Sequence, residues 1–398
     1  MVRHKYSSLD SLRWVAAFSV GMGHALGFSV VYGKYQTDLI SSARCIFNGA
    51  YAVDFFFVLS GFVLINQIRH MSPRAYTGYT ARRFLRLYPA AWGSLLLAMF
   101  AALSVKFIHS GNNYNTSLLL PAGQNLIIMP KLDALSLLKV AILKDVSLNP
   151  VLWSIKVEIA ASLLYPFFAM MIRSGRRDII VFTFFVLIAL SIPYNTQYVD
   201  LLARVHVTSI FYYSHFMYMF FAGASINLLA EKRPRSASLG IYAISLSAIL
   251  MLGAGLFGFD HSTPADLIST ISAALLIYSI AFCKLPNKIS LALNSDGMVL
   301  LGQCSYSYYL MNLIVTWSLS KYFESGVFGY SIDNTQRVFV AVALGVISAL
   351  VTIPLAVTSA KTIEAWSITF GRKLEAAISP RGGIAAGHTS GGAMSSGG

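Results

Sequence analysis

Charge is the scarcest property of this sequence. Only 12% of its 398 residues are Asp, Glu, Lys or Arg, against about a quarter in a soluble domain. Acidic residues are the rarer sign, 16 against 30 basic ones. With 56% hydrophobic residues, the chain lacks the polar surface that a soluble body of this size needs, and an ordinary soluble enzyme is excluded. The net charge of +14 would suit a nucleic-acid binder. In a membrane protein, however, Lys and Arg gather in cytoplasmic loops, and their distribution here favours that origin, so no nucleic-acid partner is expected. Cysteine is nearly absent. Cys45, Cys283 and Cys304 stand far apart without CxxC spacing, which indicates neither a disulfide framework nor a zinc site. No metal is expected. A cleavable signal pattern is missing too, because the first apolar run continues to spanning length without a small-residue cleavage site. No internal repeat of the transporter kind is present.

What the chain does have is apolar runs of about 20 residues, the length a helix needs to cross a hydrocarbon core. They predict an all-α polytopic integral membrane protein with about ten transmembrane helices. The runs cover residues 12–32, 49–68, 87–108, 152–172, 179–192, 209–229, 239–259, 267–282, 299–319 and 338–360. Segment 110–151 holds a weaker run at 135–143, too short and too charged to span, which reads as an interfacial or re-entrant helix. Twenty of the 30 basic residues fall on alternate loops and at the ends, beginning with Arg3, Lys5 and Arg13 and closing with Lys361, Arg372, Lys373 and Arg381. That alternation places both termini in the cytoplasm. Residues 1–378 form one membrane domain in this reading. Residues 379–398, almost entirely Gly, Ser and Ala, form a disordered cytoplasmic tail.

Ionisable residues inside such runs are costly and mark candidate functional groups. His24, in SVGMGHALG, lies eleven residues after Arg13, about 16 Å along a helix and near the middle of the core. Gly21, Gly23 and Gly27 surround it and allow close approach; a bond to a neighbouring helix is the plainer reading. Glu158, in LWSIKVEIAASLLYP, lies about 9 Å below the outer start of its run. Its depth is similar to that of His24, and an imidazole beside an acid is the arrangement general acid–base chemistry uses. An ion pair with Lys156 is the alternative. Asp54, in YAVDFFFVLSGFVL, is positioned either to orient the histidine or to bond a neighbouring helix. In RRFLRLYP, Arg83 and Arg86 share a helical face at the inner boundary of the third run. Paired guanidinium forks suit phosphates, while loop charge bias or lipid headgroups explain them equally well. Asp10 and Ser8 fit a capping role at the first helix.

Several motifs stand in a particular order. LDSLRWVAAFSVGMGH runs from Leu9 to His24, with Asp10 and Arg13 inside it, and FFFVLSGF spans 55–62. Arg83-Phe-Leu-Arg86 follows, and then Trp153-Ser154 leads to Glu158. SYSYYL covers 305–310, including Tyr309, with Asn312 just beyond. Together they resemble integral-membrane acyltransferase family 3, over residues 9–360. The chain departs from the family's pattern at Trp14, where glycine often stands, and in the apolar IAASL after Glu158. It also has Asn312 where a second histidine is common; an amide cannot take a proton at neutral pH.

The resemblance implies an O-acyltransferase of the bacterial inner membrane, usually an O-acetyltransferase. Its donor would be cytosolic acyl-CoA, with no tightly bound cofactor. Its acceptor would be a hydroxyl of cell-surface carbohydrate, such as O-antigen, exopolysaccharide or a lipid-linked oligosaccharide, presented at the periplasmic face. His24 would be the base or acyl carrier, with Glu158 or Asp54 orienting it, and Arg83 and Arg86 would hold the donor phosphates. Asp10, Arg13, Trp153, Ser154, Tyr309 and Asn312 would support substrate or structure. The rival readings are a transporter or flippase, and an O-acyltransferase of small metabolites.

Overall fold

The computed structural model describes residues 7–32, 45–65, 72–108, 133–192, 208–229, 235–256, 263–324 and 334–379. These are helical throughout, apart from turns and one isolated bridge between Arg235 and Cys283. In chain order the helices are α1 (Ser7–Tyr32), α2 (Gly49–Leu64), α3 (Pro73–Ile108), α4 (Ala134–Ala141), α5 (Leu152–Arg173), α6 (Arg177–Ser191) and α7 (Thr208–Ser225). Then come α8 (Ala237–Leu256), α9 (Thr263–Phe282), α10 (Asn287–Leu293), α11 (Asp296–Gln303), α12 (Ser305–Glu324), α13 (Asn334–Ser359) and α14 (Ala365–Ile378).

Local chemistry accounts for several ends. Asn48 caps α2, its side-chain oxygen accepting from the Tyr51 N–H at 3.0 Å. Proline at the first position opens α3, where its missing N–H has no partner to lose. Asp133 caps α4 by accepting from the Ser136 N–H and hydroxyl, which hold its carboxyl below the usual range. Only eight residues long, about 12 Å, α4 cannot span a bilayer. Its exposed face carries Leu135, Leu137 and Leu138.

Helices occupy all ten predicted apolar runs, with three departures. The third run was expected to begin at residue 87, yet α3 starts at Pro73 and continues unbroken through Arg82, Arg83, Arg86 and Pro89. The arginines are therefore inside a helix of about 54 Å. The ninth run is broken at Cys304, where α11 ends. Gly302 packs so tightly on the first helix that a Cβ there would stand 2.3 Å from the Asp10 carbonyl oxygen. The tenth run continues beyond residue 360 through a π-helical turn, Ala360–Glu364, into α14. Of the predicted tail, residues 380–398 lie outside the described residues.

Five of these stretches are long and apolar enough to cross a membrane: Pro73–Val105, Leu152–Arg173, Ala237–Ala254, Pro264–Phe282 and Val338–Ile378. The shorter α2 is also strongly apolar. Burial is inverted relative to a soluble protein. Trp92, Leu96, Phe100, Leu103 and Phe107 form an exposed stripe along α3, while Asp54, Arg83, His215, Asp266, Asn312, Lys321 and Glu364 are buried. Apolar faces outward and ionisable groups inward suit a hydrocarbon solvent.

The helices α1 and α12 lie centrally: α1 packs on α2, α11, α12 and α13, and α12 also contacts α3. Small residues bring α2 and α7 together. A Cβ at Gly61 would stand 2.0 Å from the Phe220 carbonyl oxygen, and one at Gly223 would stand 1.8 Å from that of Val58. The two backbones touch at this crossing, as small residues allow where water supplies no driving force.

Candidate functional site

Helix α12 joins two polar clusters. Its first turns carry the SYSYYL motif, and each of Tyr306, Ser307, Tyr308 and Tyr309 serves a different partner. Tyr306 and Ser307 face the arginines, Tyr308 faces the histidine side, and Tyr309 meets Ser154, the two hydroxyls lying 2.8 Å apart.

The first cluster is ionic. Arg83 Nη2 lies 2.7 Å from Glu158 Oε1, and its Nε donates to Ser162 Oγ at 3.1 Å. Arg86 Nη1 lies 2.5 Å from Glu364 Oε2, with the guanidinium over the Tyr306 ring at 5.3 Å. Arg13 pairs with Asp10 at 2.6 Å, and its electrostatic neighbours include Arg86 and Glu158. Arg82 reaches Glu375 on α14 at 2.8 Å.

Glu158 thus partners Arg83 and not His24. The physical reason is how α3 and α5 run against each other. Tyr76 bonds the Leu163 carbonyl and Asn149 bonds Ser94, so the two helices are antiparallel. Because α3 begins at Pro73, Arg83 is about 15 Å into the helix, level with Glu158. Arg83 is buried there, only 9% exposed. A narrow crevice between these helices is lined by Arg83, Phe84, Leu87 and Ser162.

The second cluster centres on His24. Its Nδ1 lies 3.3 Å from Asn312 Oδ1, and Asn312 Nδ2 donates to the Tyr308 hydroxyl at 3.1 Å. With the amide set this way, Oδ1 accepts, so Nδ1 carries the proton and Nε2 presents a lone pair. Nε2 has no polar partner among the described residues. Tyr308 is held in turn by Trp14, edge-on at 4.8 Å. Gly21 makes the cluster possible: a Cβ there would stand 2.6 Å from Asn312 Nδ2. Asn312, expected to support substrate or structure, makes the polar contact to the imidazole that was expected of Glu158 or Asp54.

Asp54 is wholly buried on α2, in the electrostatic neighbourhood of Tyr51 and Tyr218. Trp153 packs against Phe57 and Phe216, with ring centroids 6.2 and 5.4 Å away. Ser154 and Tyr309 both point at the Val151 carbonyl. These motif residues tie the start of α5 to its neighbours and lie apart from the imidazole's polar contacts.

Two ionic features escaped the sequence reading. One is Glu364, on the stretch just after the last predicted span, which was read as part of the cytoplasmic carboxyl end. The other is a buried pair on α7 and α9, His215 Nε2 to Asp266 Oδ2 at 2.7 Å, with His215 Nδ1 beside the Ser191 carbonyl at 3.2 Å. The rule that picked out His24, an ionisable group in an apolar run, applies to His215 and would have found it; Asp266 and Glu364 lie just outside the predicted runs, at 267–282 and 338–360, and escaped it. No group of three or more His, Cys, Asp or Glu able to hold a metal occurs among the described residues.

An apolar exterior around buried guanidinium, carboxylate and imidazole groups defines a polytopic helical membrane protein with a polar interior site. A family model described as an acyltransferase domain matches residues 6–357, and the chain belongs to this family, acyltransferase family 3. It is a membrane acyltransferase. No curated protein and no solved structure matches it. The match ends within α13, so the π-turn and α14 lie beyond it.

Proposed function

We propose that the protein transfers an acyl group, acetyl in the simplest case, from cytosolic acyl-CoA to a hydroxyl of a cell-surface carbohydrate. In this reading it crosses a bacterial inner membrane about ten times, with both ends cytoplasmic. The observation that carries the catalytic assignment is His24, tethered through Nδ1 and open at Nε2. As the acceptor oxygen attacks the thioester carbonyl, Nε2 takes the hydroxyl proton. The carbon–sulfur bond then breaks, and the imidazolium returns the proton to the departing thiolate. A neutral amide partner fixes the tautomer without adding charge, which fits a base that must release its proton within the same cycle.

The arginine cluster supports the donor assignment. Arg86 and Arg83 each engage one carboxylate and keep further N–H groups for phosphate oxygens, for which the planar fork is suited. Along α12, Ser307 and Asn312 are separated by about 7.5 Å of rise, so phosphate and thioester ends would occupy different depths.

The test is chemical analysis of ester-linked acyl groups on surface glycans from cells with the wild-type protein, with His24→Ala and with neither. The wild type should add ester acetyl. His24→Ala should fall by about 10²–10⁴-fold, the usual contribution of a general base, while remaining inserted and abundant. Near-normal acetylation by His24→Ala would remove the catalytic assignment. Unmodified glycan in all three samples would move the acceptor to a small metabolite, or the activity to transport.

A further inference from the structure

We infer that Glu364 is the positioning residue of the donor site: it fixes the Arg86 guanidinium so that its remaining N–H groups face an incoming phosphate. This rests on the reading of Arg86 as a donor ligand. Glu364 is 2% exposed, and both of its oxygens are engaged. Oε2 accepts from Arg86 and Oε1 accepts from Ser307 Oγ, each at 2.5 Å, while Ser307 Oγ also lies 2.9 Å from Ser359 Oγ. A carboxylate gripped at both ends does not swing aside. The Tyr306 ring backs the guanidinium plane, so Arg86 is held at one edge and over one face. Its Nε and Nη2 have no partner among the described residues, and about a third of the side chain, 32%, is exposed. These are the atoms a phosphate would meet.

The backbone is shaped to deliver this carboxylate. An α-helix continued from Ser359 would place each later side chain about 100° away per residue of offset. The π-turn at Ala360–Glu364 inserts such an offset, and π-bulges concentrate at functional sites. It leaves Lys361 and Thr362 exposed and turns Glu364 inward. Beyond it, α14 lies along α3, anchoring the turn. Residue 364 falls outside the matched family region, which ends at 357, so the device sits on a segment beyond that region. An interior guanidinium without a countercharge is expensive. Glu364 balances the charge of Arg86 and holds the guanidinium stationary before the donor arrives.

The experiment is direct binding of coenzyme A to the purified full-length protein and to Arg86→Ala, Glu364→Gln and Glu364→Asp. Arg86→Ala and Glu364→Gln should each weaken binding by about tenfold or more, the worth of a charge-assisted hydrogen bond. Glu364→Asp keeps the charge one methylene short and should recover part of that loss, which a purely structural contact would not. If Arg86→Ala weakens binding but Glu364→Gln binds as tightly as wild type or tighter, Glu364 competes with phosphate and the positioning role is wrong, while the donor assignment stands. If Arg86→Ala binds normally, the donor assignment fails and the inference goes with it. Should Glu364→Gln prove too unstable to purify, Glu364→Asp decides the matter: unchanged affinity overturns the inference, and a loss smaller than that of Arg86→Ala upholds it.

Discussion

His24 has one nitrogen bonded and one open, and the bonded one depends on very little. A single neutral contact at 3.3 Å sets the tautomer, and that contact exists because residue 21 has no side chain. Gly21→Ala would put a methyl 2.6 Å from Asn312 Nδ2 and 2.8 Å from the Tyr308 hydroxyl, pushing the amide off the ring. It should therefore lower kcat, and Asn312→Ala should do the same, by about tenfold or more, while coenzyme A affinity stays within about twofold; loss of one orienting hydrogen bond is worth about 1–3 kcal/mol. Paired kcat and coenzyme A titrations check this. An unchanged kcat in Asn312→Ala would mean that the imidazole needs no orienting partner. His24 was visible in the sequence because it is an ionisable group in an apolar run, and Arg83 and Arg86 because their three-residue spacing puts two guanidinium forks on one helical face at a membrane boundary. Their partners were not. Depth along a helix follows from residue counting, but the identity of the neighbouring helix does not, so Glu158 was set beside His24 instead of Arg83. Asn312 was read as a supporting residue that cannot take a proton, but which group it supports depends on helix packing, and the sequence does not carry that.

At the level of elements, the apolar runs located the helices but not their true ends. Hydropathy falls at Arg82, Arg83 and Arg86, so the third span was started after them; backbone hydrogen bonding disregards that fall, and α3 continues because the charges find partners inside. The same blindness hid α14, where Gly371 and the charges Arg372, Lys373 and Glu375 interrupt the apolar residues and look like a loop beside a membrane. The two ion pairs joining α3 to the C-terminal segment differ in worth. In the Arg86 pair the carboxylate is buried, the Glu364 side chain being only 3% exposed, whereas in the other pair both partners are reached by solvent, Arg82 at 22% and Glu375 at 27%, and such a pair contributes about 0–1 kcal/mol. Glu375→Gln should then bind coenzyme A within about twofold of wild type, in contrast to Glu364→Gln. A tenfold loss in Glu375→Gln would mean that α14 as a whole, and not one carboxylate, sets the site. The crossing of α2 and α7 is less forgiving. Gly223→Ala drives a methyl into the Val58 carbonyl, and overpacking of this kind costs about 1–3 kcal/mol, which should appear as a lower melting temperature of the purified protein.

For the whole molecule, helix lengths bear together with charge on which way the bundle faces. A core about 30 Å thick is overfilled by α3, at about 54 Å, and underfilled by α2 and α6, at about 24 and 22 Å. Mismatch of that size is relieved by protrusion of the long helix and local thinning near the short ones. Basic residues mark the protruding end: Arg74 near the start of α3, Arg173 at the end of α5, and Arg372 and Lys373 on α14 all belong to the side read as cytoplasmic, where positive charge accumulates. The short α4, read as interfacial or re-entrant, and the start of α5 fall on the other side in that reading. Single cysteines in a background lacking Cys45, Cys283 and Cys304 test this arrangement. At Ser174 and Lys373, both exposed, an impermeant thiol reagent should label only after lysis. At Lys144, exposed just after α4, it should label in intact cells. The donor site inherits its orientation from the same result, because Arg86 is reached along α3 from the Arg74 end. Labelling of Ser174→Cys in intact cells would put that end outside, away from cytosolic acyl-CoA, and the donor assignment of the arginines would have to be abandoned along with the topology.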